Sequence, residues 1–127
     1  MLLYLTYGTT DLPRARNFYN PTLATLGAVL LRDDAEYDLG YGMPGDLEPS
    51  LWIIRPFDGK PATRGNGTML ALTAPTRAAV DAFHAAALAH GGTDEGAPGI
   101  RYSPTFYACY VRDPDGNKLS AACDGPA

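Results

Sequence analysis

The sequence predicts an α+β fold built from two copies of one βαβββ unit, and three observations lead to this prediction. Each half of the 127-residue chain begins with a short apolar stretch, which is followed by an amphipathic helix and then by strand-like segments. A shift of 65 residues superimposes the two helices, since it carries Ala15 onto Val80 and Phe18 onto Phe83. The sequence Asp-Pro-Asp-Gly at 113–116 is typical of a tight turn between two strands.

The first half is predicted to contain a strand over residues 2–8 and then a helix, which the polar segment Thr9–Asp11 can cap. The buried face of this helix follows a period of 3.6 residues and comprises Ala15, Phe18, Tyr19, Thr22, Leu23 and Leu26. Pro21 lies inside the helix, and because an internal proline costs about 3 kcal/mol, we expect a kink or a break at Tyr19–Asn20. Gly27 ends the helix. Strand-like segments follow at 28–32, 36–42 and 50–55.

The second half begins after Gly65-Asn66-Gly67, which interrupts any regular structure. It is predicted to contain a strand at 68–73, a helix at 75–90 that Gly91-Gly92 ends, and strands near 105–112 and 117–123. We therefore expect one domain over residues 1–127, with a first module over about 1–60 and a second over about 65–127.

Charge and composition exclude several classes of protein. The formal charge is −4 and no cluster of lysine and arginine is present, whereas a nucleic-acid site needs a basic face. No apolar run reaches membrane-spanning length and no charged-then-apolar leader opens the chain, so we expect a cytoplasmic protein without a membrane contact. Cys109 and Cys123 are too few for a disulfide framework or a cysteine-based zinc site.

Alternation along the strands predicts which side chains share a face. Tyr4 and Thr6 share one face of the first strand, and Met69 occupies the position of Tyr4 in the second module. Mixed rows of this kind are expected to line a cavity, while the purely apolar rows pack on the helices.

The last hairpin is predicted from its turn. A type I turn with a glycine bulge would pair Arg112 with Lys118 and Tyr110 with Ser120. Tyr110, Ser120 and Ala108 would then face the cavity. The opposite, helix-facing row would comprise Cys109, Val111, Leu119, Ala121 and Cys123.

Several stretches together resemble the vicinal oxygen chelate superfamily of glyoxalases, bleomycin-resistance proteins and extradiol dioxygenases. They are YGTTDLPRARNFY (7–19), LATLGA (23–28), GNGTMLALTAPTRAAVDAFHAAALAHGG (65–92), APGIRY (97–102) and YVRDPDGN (110–117). The resemblance implies that the two βαβββ modules form paired half-open barrels. It also implies a cavity between them, which in the family holds a divalent metal and the substrate.

The residues at the family's metal-ligand positions differ from the family's pattern in this chain. The positions usually held by histidine are Tyr4 and Met69, the usual glutamate of the last strand is Ser120, and the glutamate found in glyoxalases is replaced by Trp52 or Ile54. None of these is a good ligand for a divalent transition metal. The sequence therefore predicts no metal and no other cofactor, and we expect Tyr4, Met69 and Ser120 to converge on one cavity.

The function that we expect from this pattern is binding of a small organic ligand between the modules, without metal-dependent catalysis. The candidate binding residues are Tyr4, Thr6, Trp52, Met69, Arg101, Tyr102, Tyr110 and Ser120. For Arg101 two interpretations remain open, an exposed loop cation and a partner for an anionic group of the ligand.

Two alternatives involve catalysis. One is a lyase, isomerase or dioxygenase-type enzyme that uses a metal-free or atypical site with Tyr4, Tyr110 or Ser120, although no base stands beside these residues in the sequence. The other is a true metalloenzyme with ligands from elsewhere, which is less favoured because both histidines, His84 and His90, fall in the second helix. Whichever function applies, a homodimer is expected because the outer strand edges of each half-barrel need covering.

Overall fold

Each half of the chain folds into a four-stranded sheet with one helix, in a computed structural model that describes residues 1–126. The first half comprises β1 (Leu5–Gly8), α1 (Leu12–Ala24), β2 (Val29–Asp34), β3 (Asp38–Gly42) and β4 (Leu51–Ile54). The second half comprises β5 (Leu70–Thr73), α2 (Arg77–Ala89), β6 (Thr93–Ile100), β7 (Phe106–Arg112) and β8 (Lys118–Asp124). Among the described residues, no helix is long and apolar enough to cross a membrane.

The two sheets have the same topology. The strand order is β1-β4-β3-β2 in the first and β5-β8-β7-β6 in the second, and in each sheet the strand before the helix runs parallel to the last strand. The remaining pairs are antiparallel. Leu5 and Leu70 begin equivalent strands, and both helices keep the 65-residue offset from first to last residue. The predicted α+β fold of two βαβββ modules is confirmed.

The core lies between the helices and the inner faces of the two sheets. Phe18 of α1 and Phe83 of α2 are fully buried there. From the sheets, the same core receives Tyr7, Leu39, Tyr41, Leu51, Ile53, Cys109, Val111, Leu119 and Ala121. These side chains alternate with residues on the outer faces, as the period of two along a strand requires. The helix-facing row predicted for the last hairpin is therefore confirmed for its four residues from Cys109 to Ala121.

The predicted break at Tyr19–Asn20 is wrong, because α1 continues from Leu12 to Ala24 with Pro21 inside it. The proline removes the N–H that would bond to the carbonyl of Asn17, and Asn17 lies on the exposed side of the helix. The buried face continues on both sides of the proline through Phe18, Tyr19, Thr22 and Leu23. Burial of side chains of this size contributes about 1.5–3 kcal/mol each, which together outweighs the cost of one proline.

Strand β6 (Thr93–Ile100) is not among the predicted strands. The sequence pattern indicated a loop at the end of this segment. Its sequence, TDEGAPGI, contains two glycines and a proline, both of which are depleted in strands. The segment is an edge strand, so that only one side of its backbone must pair, and its register with β7 shifts twice. The edge position allows a strand of this composition to form. The glycines, the proline and the register shifts remove the alternating pattern by which a strand is recognised in a sequence.

The terminal hairpin has the predicted register, with Arg112 opposite Lys118 and Tyr110 opposite Ser120. Gly116 has φ +91°, which is a conformation that residues other than glycine rarely adopt. The turn is closed by hydrogen bonds from the Gly116 N–H to the Asp113 carbonyl and from the Asp113 N–H to the Asn117 carbonyl, both 2.9 Å long.

The carboxylate of Asp113 joins this turn to the first module. It accepts hydrogen bonds from the Tyr19 hydroxyl of α1 (2.5 Å), the Asn117 side-chain amide (2.8 Å) and the backbone N–H groups of Asp115 and Asn117 (both 2.9 Å). The Asn117 amide also donates to the Gly8 carbonyl of β1 at 2.9 Å. Burial raises the pKa of Asp113, although its hydrogen bonds to Tyr19 and Asn117 act in the opposite direction.

Removal of the Tyr19 hydroxyl tests how much its hydrogen bond to Asp113 contributes to stability. Tyr19→Phe should lower the free energy of unfolding by about 1.5–3 kcal/mol, because it removes a hydrogen bond to a buried charged group. Tyr41→Phe is the matched control, since the buried Tyr41 donates to the neutral side-chain oxygen of Asn20 at 2.7 Å; a loss of about 0.5–1.5 kcal/mol is expected. Urea unfolding of both variants measures the difference, and equal losses would contradict the role assigned to Asp113.

Candidate functional site

An open groove of about 530 Å³ lies on the outer face of the first sheet. Its walls are Leu3, Tyr4, Thr6, Asp38, Glu48, Pro49, Trp52 and Ile54. They come from the first module alone. Aromatic, apolar and polar groups therefore line one surface, as is typical of sites for small organic molecules.

Strand register fixes the arrangement of the groove floor. In one row across β1, β4 and β3, Thr6 pairs with Trp52, and Trp52 pairs with Gly40. In the next row, Ile54 pairs with Asp38. Trp52 is thus the central residue of the floor, with the Thr6 hydroxyl on one side and the Asp38 carboxylate diagonally across on the other.

The absence of a side chain at Gly40 leaves room for the indole ring of Trp52. A Cβ atom placed on Gly40 would lie 2.8 Å from Cζ3 of Trp52 and 2.5 Å from Cγ of Pro49. Carbon atoms do not approach each other so closely, so the indole and Pro49 lie against the bare backbone of β3. Trp52 is only partly exposed in this position, and part of its ring remains available to a ligand.

The charged groups of the groove are both acidic. Glu48 lies 3.4 Å from Arg32, and both side chains are exposed. The half-buried Asp38 has a raised pKa because of partial burial and the neighbouring charge of Asp34. Within residues 1–126, no hydrogen bond or ion pair engages the Asp38 carboxylate. Its hydrogen-bonding capacity therefore remains free for a ligand.

The outer face of the second sheet carries a different, basic group of residues around Tyr110. The guanidinium of Arg101 lies 5.9 Å and the ammonium of Lys118 lies 5.7 Å from the centre of the Tyr110 ring. Arg101 also donates to the Ala97 carbonyl at 2.7 Å, which holds its side chain along β6. Burial raises the pKa of Tyr110, and the nearby Tyr102 raises it further.

Six of the eight candidate binding residues therefore fall into two groups. Tyr4, Thr6 and Trp52 share the groove of the first sheet. Arg101 and Ser120 adjoin Tyr110 on the second sheet, where Ser120 is only 1% exposed. Tyr102 is almost fully exposed in the loop after β6, with φ +63°.

Met69 lies just before β5 and is partly exposed. The next residue, Leu70, shares a small cavity with Tyr4, so that the ends of the two equivalent strands lie near each other. Contact of Tyr4 with Met69 itself, and convergence of both residues with Ser120, stay predictions.

Sequence reasoning missed Asp38, Glu48 and Pro49 as walls of the groove. The segment 36–42 was recognised as a strand, and the alternation along it sets Asp38 and Gly40 apart from the buried Leu39 and Tyr41. That signal could have identified Asp38. Glu48 and Pro49 lie in the loop between β3 and β4, where no periodicity indicates a direction.

The donor chemistry at the family's ligand positions does not fit a divalent transition metal. Tyr4, Met69 and Ser120 supply a phenol, a thioether and an alcohol, whereas such metals are usually bound by imidazole, thiolate and carboxylate groups. In the part of the chain that the structure describes, no three His, Cys, Asp or Glu residues are grouped so that they could hold an ion. His84 instead contacts Asp94 at 2.8 Å, and His90 caps the C-terminus of α2.

The packing of Trp52 on Gly40 yields a test of the groove floor. Gly40→Ala should displace the indole or Pro49, change the emission of Trp52, which is the only tryptophan, and lower stability by about 1–3 kcal/mol. Gly125→Ala is the control, because a Cβ there meets no atom within 4 Å. Fluorescence spectra and thermal unfolding report both effects. An unchanged spectrum in Gly40→Ala would mean that the indole does not lie on β3.

Comparison with known proteins agrees with this architecture. The family model of the Glyoxalase/Bleomycin resistance protein/Dioxygenase superfamily matches residues 2–120. No curated protein matches the sequence.

Among solved structures, a glyoxalase/bleomycin resistance protein from Albidiferax ferrireducens T118 is 37% identical, with a TM-score of 0.84 over 96% of this chain and 97% of that one. The antibiotic binding protein TnmS3 from Streptomyces sp. CB03234 is 24% identical, with a TM-score of 0.65 over 98% and 96% of the two chains. Lactoylglutathione lyase from Agrobacterium tumefaciens is 18% identical, with a TM-score of 0.65 over 97% and 92%. The latter two likenesses concern the fold alone. From the match over residues 2–120 and the 37% identical structure, the chain belongs to the glyoxalase/bleomycin resistance protein/dioxygenase superfamily.

Proposed function

We propose that this protein binds a small organic ligand in the groove of the first sheet, through aromatic contact and hydrogen bonds and without a metal-dependent reaction. The observation that carries the proposal is the position of Trp52, whose indole forms the centre of an open groove between the Thr6 hydroxyl and the Asp38 carboxylate. An aromatic surface flanked by a few polar groups suits a small molecule better than it suits a metal ion.

The fold is compatible with a binding role. The structurally similar TnmS3 is an antibiotic binding protein, so this architecture can hold a small molecule as its function. In this chain the family's ligand positions carry a phenol, a thioether and an alcohol, which can contact an organic molecule but are poor metal ligands.

We propose that the protein forms a homodimer through the edges of its sheets. The edge strands β1 and β5 each leave one side unpaired. Exposed apolar residues beside them, Leu2, Leu3, Tyr4 and Met69, would be covered by a second copy.

The proposed compartment is the cytoplasm. Cys109 and Cys123 are free thiols, and burial raises the pKa of Cys109 to about 11, so that this thiol stays protonated. Unpaired cysteines are compatible with a reducing compartment.

A ligand screen read by thermal unfolding tests the proposed function. A small molecule present at about 100 times its Kd should stabilise the protein by about 2.7 kcal/mol. The same molecule should shift the Trp52 emission, and Trp52→Leu should weaken binding while Tyr37→Leu, which changes an exposed aromatic residue outside these walls, should not. Ligands that stabilise the protein equally well in Trp52→Leu would contradict a site in this groove.

Metal content can be measured independently. Elemental analysis of the purified protein should show no stoichiometric transition metal, and treatment with a chelator should leave ligand affinity unchanged. Near-stoichiometric metal that is lost in a Tyr4→Phe variant would overturn this prediction and favour a metalloenzyme.

The assembly state is tested by light scattering. The expected mass is twice the 13.5 kDa of one chain. Leu2→Glu, which places a charge among the exposed apolar residues beside β1, should shift the equilibrium toward the monomer, while Phe57→Glu, at an exposed apolar residue of the loop after β4, should not reduce dimerisation. A monomer mass at high protein concentration would remove the dimer proposal.

A further inference from the structure

We infer that the ligand of the groove is a planar cation, whose ring stacks on Trp52 and whose positive charge pairs with Asp38. This inference rests on the proposed binding function and specifies the chemical class of the ligand. It follows from the position of Asp38 relative to the indole, from the free state of its carboxylate and from the absence of basic residues among the described walls of the groove.

The geometry sets the distance between the two contacts. Asp38 pairs with Ile54 while Trp52 pairs with Gly40, so Asp38 and Trp52 are diagonal neighbours on adjacent antiparallel strands. Diagonal neighbours of this kind are separated by about 7–8 Å, which long and aromatic side chains can span. One molecule that carries its charge on or beside a flat ring can therefore contact both residues at once.

The carboxylate of Asp38 differs from other acidic groups of the protein. Asp113 and Asp115 are engaged by hydrogen bonds, Glu95 contacts Arg112 at 2.6 Å, and Asp33 contacts Arg16 at 2.8 Å. Asp38 has no such partner among residues 1–126, although it is half-buried beside Ile54. Since a partly buried charge interacts more strongly than one in water, a cation is a favourable partner there.

Other charges near Asp38 do not neutralise it. Arg55 shares an adjoining cavity with Asp38, but in the described part of the chain the two residues form no ion pair. Glu48 adds a second negative charge to the groove, and its contact with Arg32 is long and exposed. An exposed ion pair of this type contributes little, so the groove remains acidic.

The indole favours the same class of ligand. A cation over the face of a tryptophan is attracted by the negative potential of the ring, most strongly where water is partly excluded. The Gly40 backbone lies close to Cζ3 of the indole, so this part of the ring is covered by β3. The ligand therefore approaches the partly exposed remainder of the ring from the groove.

Three bicyclic probes of nearly equal shape test the inference. N-methylquinolinium carries a permanent positive charge, quinoline is uncharged near neutral pH, and 1-naphthoate is an anion. Isothermal titration measures the affinities, and the NMR signal of the Trp52 indole N–H reports whether each probe reaches the groove. We expect N-methylquinolinium to bind about tenfold more tightly than quinoline, and 1-naphthoate to bind most weakly.

Variants assign the selectivity to Asp38. Asp38→Asn should weaken binding of N-methylquinolinium about tenfold and leave quinoline unchanged, whereas Trp52→Leu should weaken both probes. Glu36→Gln is the matched control, because Glu36 is an exposed acid in the turn between β2 and β3 and its loss should preserve the preference for the cation.

These measurements distinguish failure of the cation inference from failure of the proposed binding function. Equal or tighter binding of quinoline or 1-naphthoate, or an unchanged cation affinity in Asp38→Asn, would overturn the inference. If such a neutral or anionic probe also shifted the Trp52 signal, the proposed binding function would still stand. If neither these probes nor the hits of the ligand screen perturbed Trp52, both the inference and the proposed function would fail.

Discussion

The buried carboxylate of Asp113 is the interaction on which the arrangement of the two modules depends. Removing a carboxylate from water is costly, and its pKa is raised accordingly, but four donors surround it. One donor, the Tyr19 hydroxyl, comes from the other module, and Asn117 extends the network to the Gly8 carbonyl. Asp115 adds contacts with the Thr9 and Arg14 side chains at 2.5 and 2.8 Å. Loss of any one of these partners would leave buried polar groups without a hydrogen bond, which is costly. The terminal turn and the start of α1 are therefore held in one relative position.

The hydrogen bonds around Asp113 lie at the inner side of the sheets and leave the outer faces of the sheets free. The Tyr7 hydroxyl donates to the Lys118 carbonyl at 2.7 Å, and burial raises its pKa to about 12, so that inner contacts between the modules involve neutral donors as well as the Asp113 carboxylate. On the outer face of the first sheet, the same strand β1 presents Thr6 to the groove. In β1, Tyr7 therefore packs in the core, while its neighbour Thr6 lines the groove of the candidate site.

The sequence predicted the elements that have a strong period or a specific turn. Both helices, the register of the last hairpin and the shared face of Tyr4 and Thr6 follow from local patterns, and the structure agrees with them. The break at Pro21 and the loop in place of β6 were wrong for one reason: tertiary packing compensated a local penalty. In α1 the buried face outweighed the missing hydrogen bond, and in β6 pairing on a single side tolerated Pro98. Asp38 could have been identified from the alternation along β3, but Glu48 and Pro49 could not, because the place of the β3–β4 loop depends on how Pro49 packs on Gly40, which no residue pattern encodes.

Alternation explains how a family fold can persist when the residues at its metal positions change. Tyr4 and Ser120 occupy outer-face rows, whereas the core is formed by the rows between them, such as Tyr7 and Leu119. A substitution at the exposed Tyr4 changes what the sheet presents without removing a core side chain, so it does not create the cavity that makes core substitutions costly, whereas the buried Ser120 is small and leaves little volume to lose. On the same outer face, the register places the indole of Trp52 and the carboxylate of Asp38 on adjacent strands, so this surface can differ in chemistry while the rows that form the core stay the same.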